Sequence, residues 1–153
     1  MKHYKDVLNN IYAYESDGSQ DAFIKEGLVP ISDEDLAAMI APTTEQLLSQ
    51  LTAARKEQER QGVTINNIRY AGDPGNRQAL QEAIAFMENA SLTEFPTWKD
   101  SDDVFHADHP LADVKDAARA IGARRSQLVA AEGEYAAQIT AGTLTDLSEV
   151  VWS

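Results

Sequence analysis

Hydrophobic and small positions recur at three- and four-residue steps from Pro110 to Gly142: Leu111, Val114, Ala118, Ile121, Leu128, Tyr135 and Ile139. That spacing places them on one face of a helix. Pro110 suits the first helical position and Gly142 the residue just past the end. The expected helix is about 45 Å long. Its apolar stripe needs a cover on one side. The segment from Asp73 to Ser91 supplies one, with Leu80, Ala83, Ile84 and Met87 on its own apolar face and Asp73-Pro74 as cap and first residue.

Another helix starts at Thr43 or Thr44 and runs to about Gln61, ended by Gly62. Leu47, Leu48, Leu51 and Ala54 form its apolar side. From Arg55 to Arg60 it is polar throughout, which predicts a connector standing in solvent or pairing with a second copy. A shorter helix opens at Ser32, with Asp35 at capping-box distance, and stops before Pro42.

The remaining patterns are short and extended. His3 to Val7 and Ile11 to Glu15 read as a hairpin turning at Asn9-Asn10, with Ile11 and Ala13 on one face and Tyr12 and Tyr14 on the other. Leu28 to Ile31 reads as a third strand, at an edge because of Pro30. Val63-Thr64-Ile65 and Ile68-Arg69-Tyr70 flank Asn66-Asn67 as a second hairpin. Thr97-Trp98-Lys99 and Val104-Phe105-His106 form a third. After Gly142, Thr143 or Thr145 is expected to cap a last turn carrying Leu147, Val150, Val151 and Trp152.

The predicted fold class is α+β, in three parts. Residues 1–42 are an N-terminal β-hairpin-rich docking piece, 43–62 a helical connector, and 63–153 a C-terminal helical domain with two small hairpins and the long terminal helix. The chain has 153 residues and a net charge of −12, with both halves acidic. This argues against nucleic acid and anionic membrane as partners. No apolar run is long enough to span a membrane, and the N-terminus lacks the apolar core of a secretory signal. The absence of cysteine excludes disulfides and thiol chemistry.

Tests for chemistry give little. His106, Asp108 and His109 form the best metal-like cluster, but they sit at a strand-to-helix junction. There, Asp108 or His109 as a helix cap and His106 at the surface is the simpler reading, so no metal and no cofactor is expected. Asp100, Asp102 and Asp103 lack the glycine and glutamate of a calcium loop and read as a hairpin turn. Gly72 to Gly75 is a turn plus cap, not a phosphate loop. Arg69 and Arg77 bracket that turn and are expected to pair at the surface. Arg125 falls on the apolar stripe, either in a buried ion pair or reaching outward along its stem.

The pattern Arg69-Tyr70, then Asp73, Arg77 and Gln78, then Trp98-Lys99-Asp100 before a long helix resembles a domain of unknown function. That domain recurs in tailed-phage tail-fibre and tail-fibre-assembly proteins. The resemblance covers roughly residues 60 to 150. The opening segment, with Tyr12-x-Tyr14, Asp17-Gly18-Ser19-Gln20 and Leu28-x-Pro30-Ile31-Ser32, resembles the start of tail-fibre assembly chaperones. The resemblance implies a non-enzymatic protein that binds the receptor-binding fibre in the host bacterial cytoplasm and aids its folding or attachment, with some members retained on the virion. The expected fibre contacts are Tyr12, Tyr14, Leu28 and Ile31, since aromatics and open strand edges supply recognition surface. Leu47, Leu48 and Leu51 are the expected self-association face, giving a homo-oligomer. A small acidic inhibitor of a host protein and a structural fibre subunit are the alternative readings.

Overall fold

The computed structural model describes residues 1–152. The chain forms two compact units, Met1–Pro42 and Thr43–Ser153. Among the described residues the architecture is α+β, with four α-helices, the last of them the long C-terminal one, and three small antiparallel sheets.

In the first unit, strands β1 (Lys2–Lys5), β2 (Ile11–Tyr14) and β3 (Val29–Ile31) form one antiparallel sheet in the order β2-β1-β3. The third strand therefore lies at an edge, where a proline costs no ladder bond. Helix α1 (Asp33–Ile40) follows. Ser32 caps it by accepting from the Asp35 N–H, and three acids in its first turn suit the positive helix end.

The first hairpin differs from expectation. The loop is longer than a two-residue turn, and only Asn9 of the asparagine pair has positive φ. Asp6 organises it, its carboxylate accepting from the backbone N–H groups of Leu8 and Asn10, the Asn10 amide and the Tyr12 hydroxyl.

The second unit is built along α4 (Leu111–Thr140), the long helix. Helix α2 (Thr44–Gln61) starts with a full capping box between Thr43 and Gln46. Strands β4 (Val63–Ile65) and β5 (Ile68–Tyr70) turn through Asn66 and Asn67, both at positive φ. Helix α3 (Pro74–Asn89) is capped by Asp73. Strands β6 (Glu94–Lys99) and β7 (Phe105–Pro110) lead directly into α4.

Helix α4 carries two apolar cores, one at each end. Tyr70, Leu80, Val114, Ala117 and Ile121 form the first, with Val63, Ile65, Ile68, Ile84, Phe95 and Trp98 packed around them. Leu47, Leu51, Ile139 and Leu144 form the second, joined by Leu48, Tyr135, Leu147, Val150 and Trp152.

This second core corrects two expectations. Helix α2 is not a free connector between domains but packs along α4 within the C-terminal unit. The apolar face of Leu47, Leu48 and Leu51, expected to meet a second copy, is covered by the end of α4 and the tail of the same chain. The tail docks as expected and makes a last turn from the Val150 N–H to the Leu147 carbonyl, but Asp146 rather than Thr143 or Thr145 accepts at its start, from the Ser148 N–H. The Tyr135 hydroxyl contacts the Val151 backbone at both its N–H and its C=O.

Each buried leucine contributes about 1.5–3 kcal/mol. A fragment of residues 43–153 is therefore expected to melt cooperatively in circular dichroism. A fragment of residues 63–153, which exposes Ile139 and Leu144, should melt far lower or show no transition. Equal melting of the two fragments would return α2 to the role of a connector.

Candidate functional site

Of the residues expected to contact a partner, Tyr12 and Tyr14 are half-buried rather than free. Tyr12 donates to Asp6 at 3.1 Å and lies under the Lys25 ammonium at 5.4 Å. Tyr14 meets Tyr4 edge-to-face at 5.6 Å. Leu28 and Ile31 are half-buried as well. The exposed large apolar side chains of this unit are others: Met1, Val7, Leu8, Ile11, Phe23, Val29 and Ile40. Cross-strand pairing puts Val29 opposite Lys5, which itself faces Ile11, so Val29 and Ile11 share one face of the sheet.

The histidine cluster lies at the end of a strand that runs straight into a helix, as expected, but neither Asp108 nor His109 caps that helix. Strand β7 continues to Pro110, and the start of α4 has no side-chain cap. His109 lies inside the fold at 2% exposure, its Nε2 2.6 Å from the Tyr70 hydroxyl and its ring stacked on Trp98 at 5.5 Å. His106, expected at the surface, is half-covered and bonds Asp100 through Nε2 at 2.8 Å.

A regular strand would send residues three apart to opposite faces. Here Phe95, Trp98, His106 and His109 all turn inward. The ladder is interrupted where Pro96, which has no N–H, meets Asp108 at positive φ. That break shifts the alternation by one residue.

Burial dominates the chemistry of the Tyr70–His109 pair. It pushes the Tyr70 phenol up to about 12, with Asp113 and Asp100 adding to the effect. It also lowers the His109 pKa, opposed by Asp113 and aided by His106. Both groups are therefore neutral, and with the ring proton on Nδ1 the Tyr70 O–H donates to Nε2. Asp100 is held below the usual carboxylate range, first by His106 and then by the backbone N–H of Val104. It fastens the β6–β7 turn, as the hairpin reading expects.

The second polar assembly was not anticipated. Glu59, on the polar half of α2, is 7% exposed. Arginines from three helices surround its carboxylate: Arg55 of α2 in hydrogen-bond contact, Arg77 of α3 at 3.2 Å and Arg125 of α4 at 3.4 Å. Arg55 also meets Glu132 at 2.6 Å, and Thr52 donates to Glu132 at 2.6 Å. Arg77, expected at the surface, additionally donates to the Gly72 carbonyl at 2.6 Å. Arg69 pairs with Asp102 and donates to the Ser101 carbonyl. The only trace of this belt in the sequence is Arg125 on an otherwise apolar stripe.

Two apolar cores joined by a polar belt define a helix-rich α+β packing domain. The chain belongs to the family described as a domain of unknown function (DUF4376), which matches residues 42–151. That match coincides with the second unit and includes α2. No curated protein and no solved structure matches the chain.

Replacing Glu59 with glutamine leaves three guanidinium groups without their shared carboxylate. Removing one partner of a buried pair costs about 3–5 kcal/mol, and with Arg125 half-exposed a loss of about 3 kcal/mol is expected from urea unfolding of Glu59→Gln. A loss within experimental error would reduce the belt to decoration.

His109 gives a pH signature. Unfolded, it takes up a proton near its ordinary value of 6.5, whereas the folded chain resists protonation. The stability it contributes is therefore present above that value and is lost as pH falls through the window below it. The melting temperature is expected to drop as pH falls below about 6.5. His109→Phe, though less stable throughout, should have a flatter profile there. The same slope in both proteins would exclude His109 as the cause.

Proposed function

We propose that this chain is a non-enzymatic phage tail-fibre assembly protein. Residues 1–42 bind the receptor-binding fibre, and the second unit serves as their folded carrier. The observation that carries this reading is the state of the first unit. None of its 42 residues is fully buried, its sheet has two edge strands, and Phe23 and Leu8 are 72% and 78% exposed. A unit this small, with no cysteine, has little core with which to hold its own fold. Its stability and its purpose both come from a partner that covers Val29, Ile11 and the free strand edges.

The sequence resemblance of the opening segment points to the same partner, a tail-fibre chain. In that role the protein works in the host bacterial cytoplasm, where fibres are assembled, with retention on the fibre as a variant of the same interaction. The expected contact residues move from Tyr12 and Tyr14 to the exposed Ile11, Phe23 and Val29. Tyr12, Tyr14, Leu28 and Ile31, all half-buried, are left a secondary part in it.

Co-expression with a receptor-binding tail-fibre chain, followed by size-exclusion chromatography, tests the proposal. Wild type is expected to co-elute with the fibre. Val29→Asp combined with Phe23→Ser should abolish co-elution while the melting of residues 43–153 stays unchanged. A wild-type chain that elutes apart from the fibre, or a double variant that still binds it, would overturn the reading.

A further inference from the structure

The arginine belt opens onto a pocket of about 450 Å³ lined by Arg55, Lys56, Arg60, Arg77 and Arg125, with Glu59 and Asp73 as its acids. Five of the chain's 13 basic residues thus gather at one place in a protein of net charge −12. Several of these cations have carboxylates elsewhere: Arg60 pairs with Glu57 at 2.7 Å, and Arg55 is shared with Glu132. Asp73 directs its carboxylate to the start of α3, accepting from the N–H groups of Gly75 and Asn76 and from the Asn76 amide. That leaves Glu59 as the one acid serving Arg77 and Arg125, while it shares Arg55 with Glu132. Among the described residues, Lys56 has no carboxylate partner.

The donor count is equally lopsided. Arg125 touches Glu59 through Nε alone, at 3.4 Å, and is half-exposed. Arg77 uses Nη1 for both of its contacts. The outer guanidinium nitrogens of both residues, together with Lys56 Nζ, are therefore available to donate to a ligand's oxygens. A guanidinium presents its donors in a planar fork that matches oxyanion geometry. Part of the belt is already fixed by Glu59, so a ligand would meet a cationic site held in place by folding rather than one ordered on binding.

We propose that this pocket binds a phosphoryl oxyanion. A dianion suits a site whose surplus is carried by Arg77, Arg125 and Lys56 together. A single carboxylate neutralises less of it. The acidic protein as a whole repels anions, so recognition is short-range, made by these contacts rather than by long-range steering. This site is independent of the fibre surface of the first unit.

The test is a titration of the full chain with inorganic phosphate, read from the side-chain Nε–H signals of its arginines by NMR at constant ionic strength. Acetate serves as the second arm. The Arg77 and Arg125 signals are expected to shift and saturate with phosphate, and to respond far less to acetate. Arg125→Gln and Lys56→Gln should each weaken phosphate binding by about tenfold. Arg119→Gln, which removes an exposed arginine paired only with Asp116, should leave it unchanged. A response that never saturates, an equal response to acetate, or unchanged affinity in both pocket variants would overturn the proposal.

Discussion

The second unit depends on a close crossing of backbone at the end of α2. A Cβ on Gly72 would stand 2.2 Å from the Glu59 carbonyl oxygen, and one on Gly62 would stand 1.8 Å from that of Tyr70. Only glycine fits at either place, and Gly62 also holds a positive φ. The crossing satisfies carbonyls that a helix end leaves open. The Gly72 N–H reaches the Arg60 carbonyl, and Arg69 reaches that of Gln61. It also brings Arg77 to Glu59 and sets Tyr70 beside His109. The ion-pair belt and the aromatic cluster thus both follow from two glycines ten residues apart.

Helix α4 is the element on which this arrangement is laid out. Its apolar ends hold the two cores, and its middle carries Arg124, Arg125 and Glu132 toward α2. Leu128, 1% exposed, interrupts that polar stretch. The buried charges add little net stability once desolvation is counted. Their effect is on register: a shift of α2 along α4 would part Glu132 from Arg55 and Glu59 from Arg125. Leucines alone tolerate such sliding, whereas a carboxylate shared by three guanidinium groups does not.

Much of this was legible in the sequence because it rests on local signals. The 3.6-residue period marked α3 and α4, and the capping residues Ser32, Thr43 and Asp73 marked three helix starts. Asn66-Asn67 marked a tight hairpin, and Pro30 marked an edge strand. The failures concern tertiary partners. A polar run such as Arg55 to Arg60 has the same pattern whether it faces water or a ring of arginines, so α2 read as a connector. His109 read as a helix-end residue because the break at Pro96 and Asp108 hides the strand's alternation. The half-burial of Tyr12 depends on Asp6, whose place in the turn no periodicity encodes. Of the motif residues behind the family resemblance, Tyr70, Asp73, Arg77, Trp98 and Asp100 fasten elements together. Arg77 also lines the cationic pocket.

Helix α2 belongs to the folded body of the C-terminal unit. Native-state hydrogen exchange of the full chain tests this most directly, because it reports the free energy at which each helix opens. The account predicts that the amides of Leu51 through Glu59 exchange together with those of Val114 through Ile121, at the free energy of global unfolding. Exchange of the α2 amides at a much lower free energy, with α4 still protected, would contradict it.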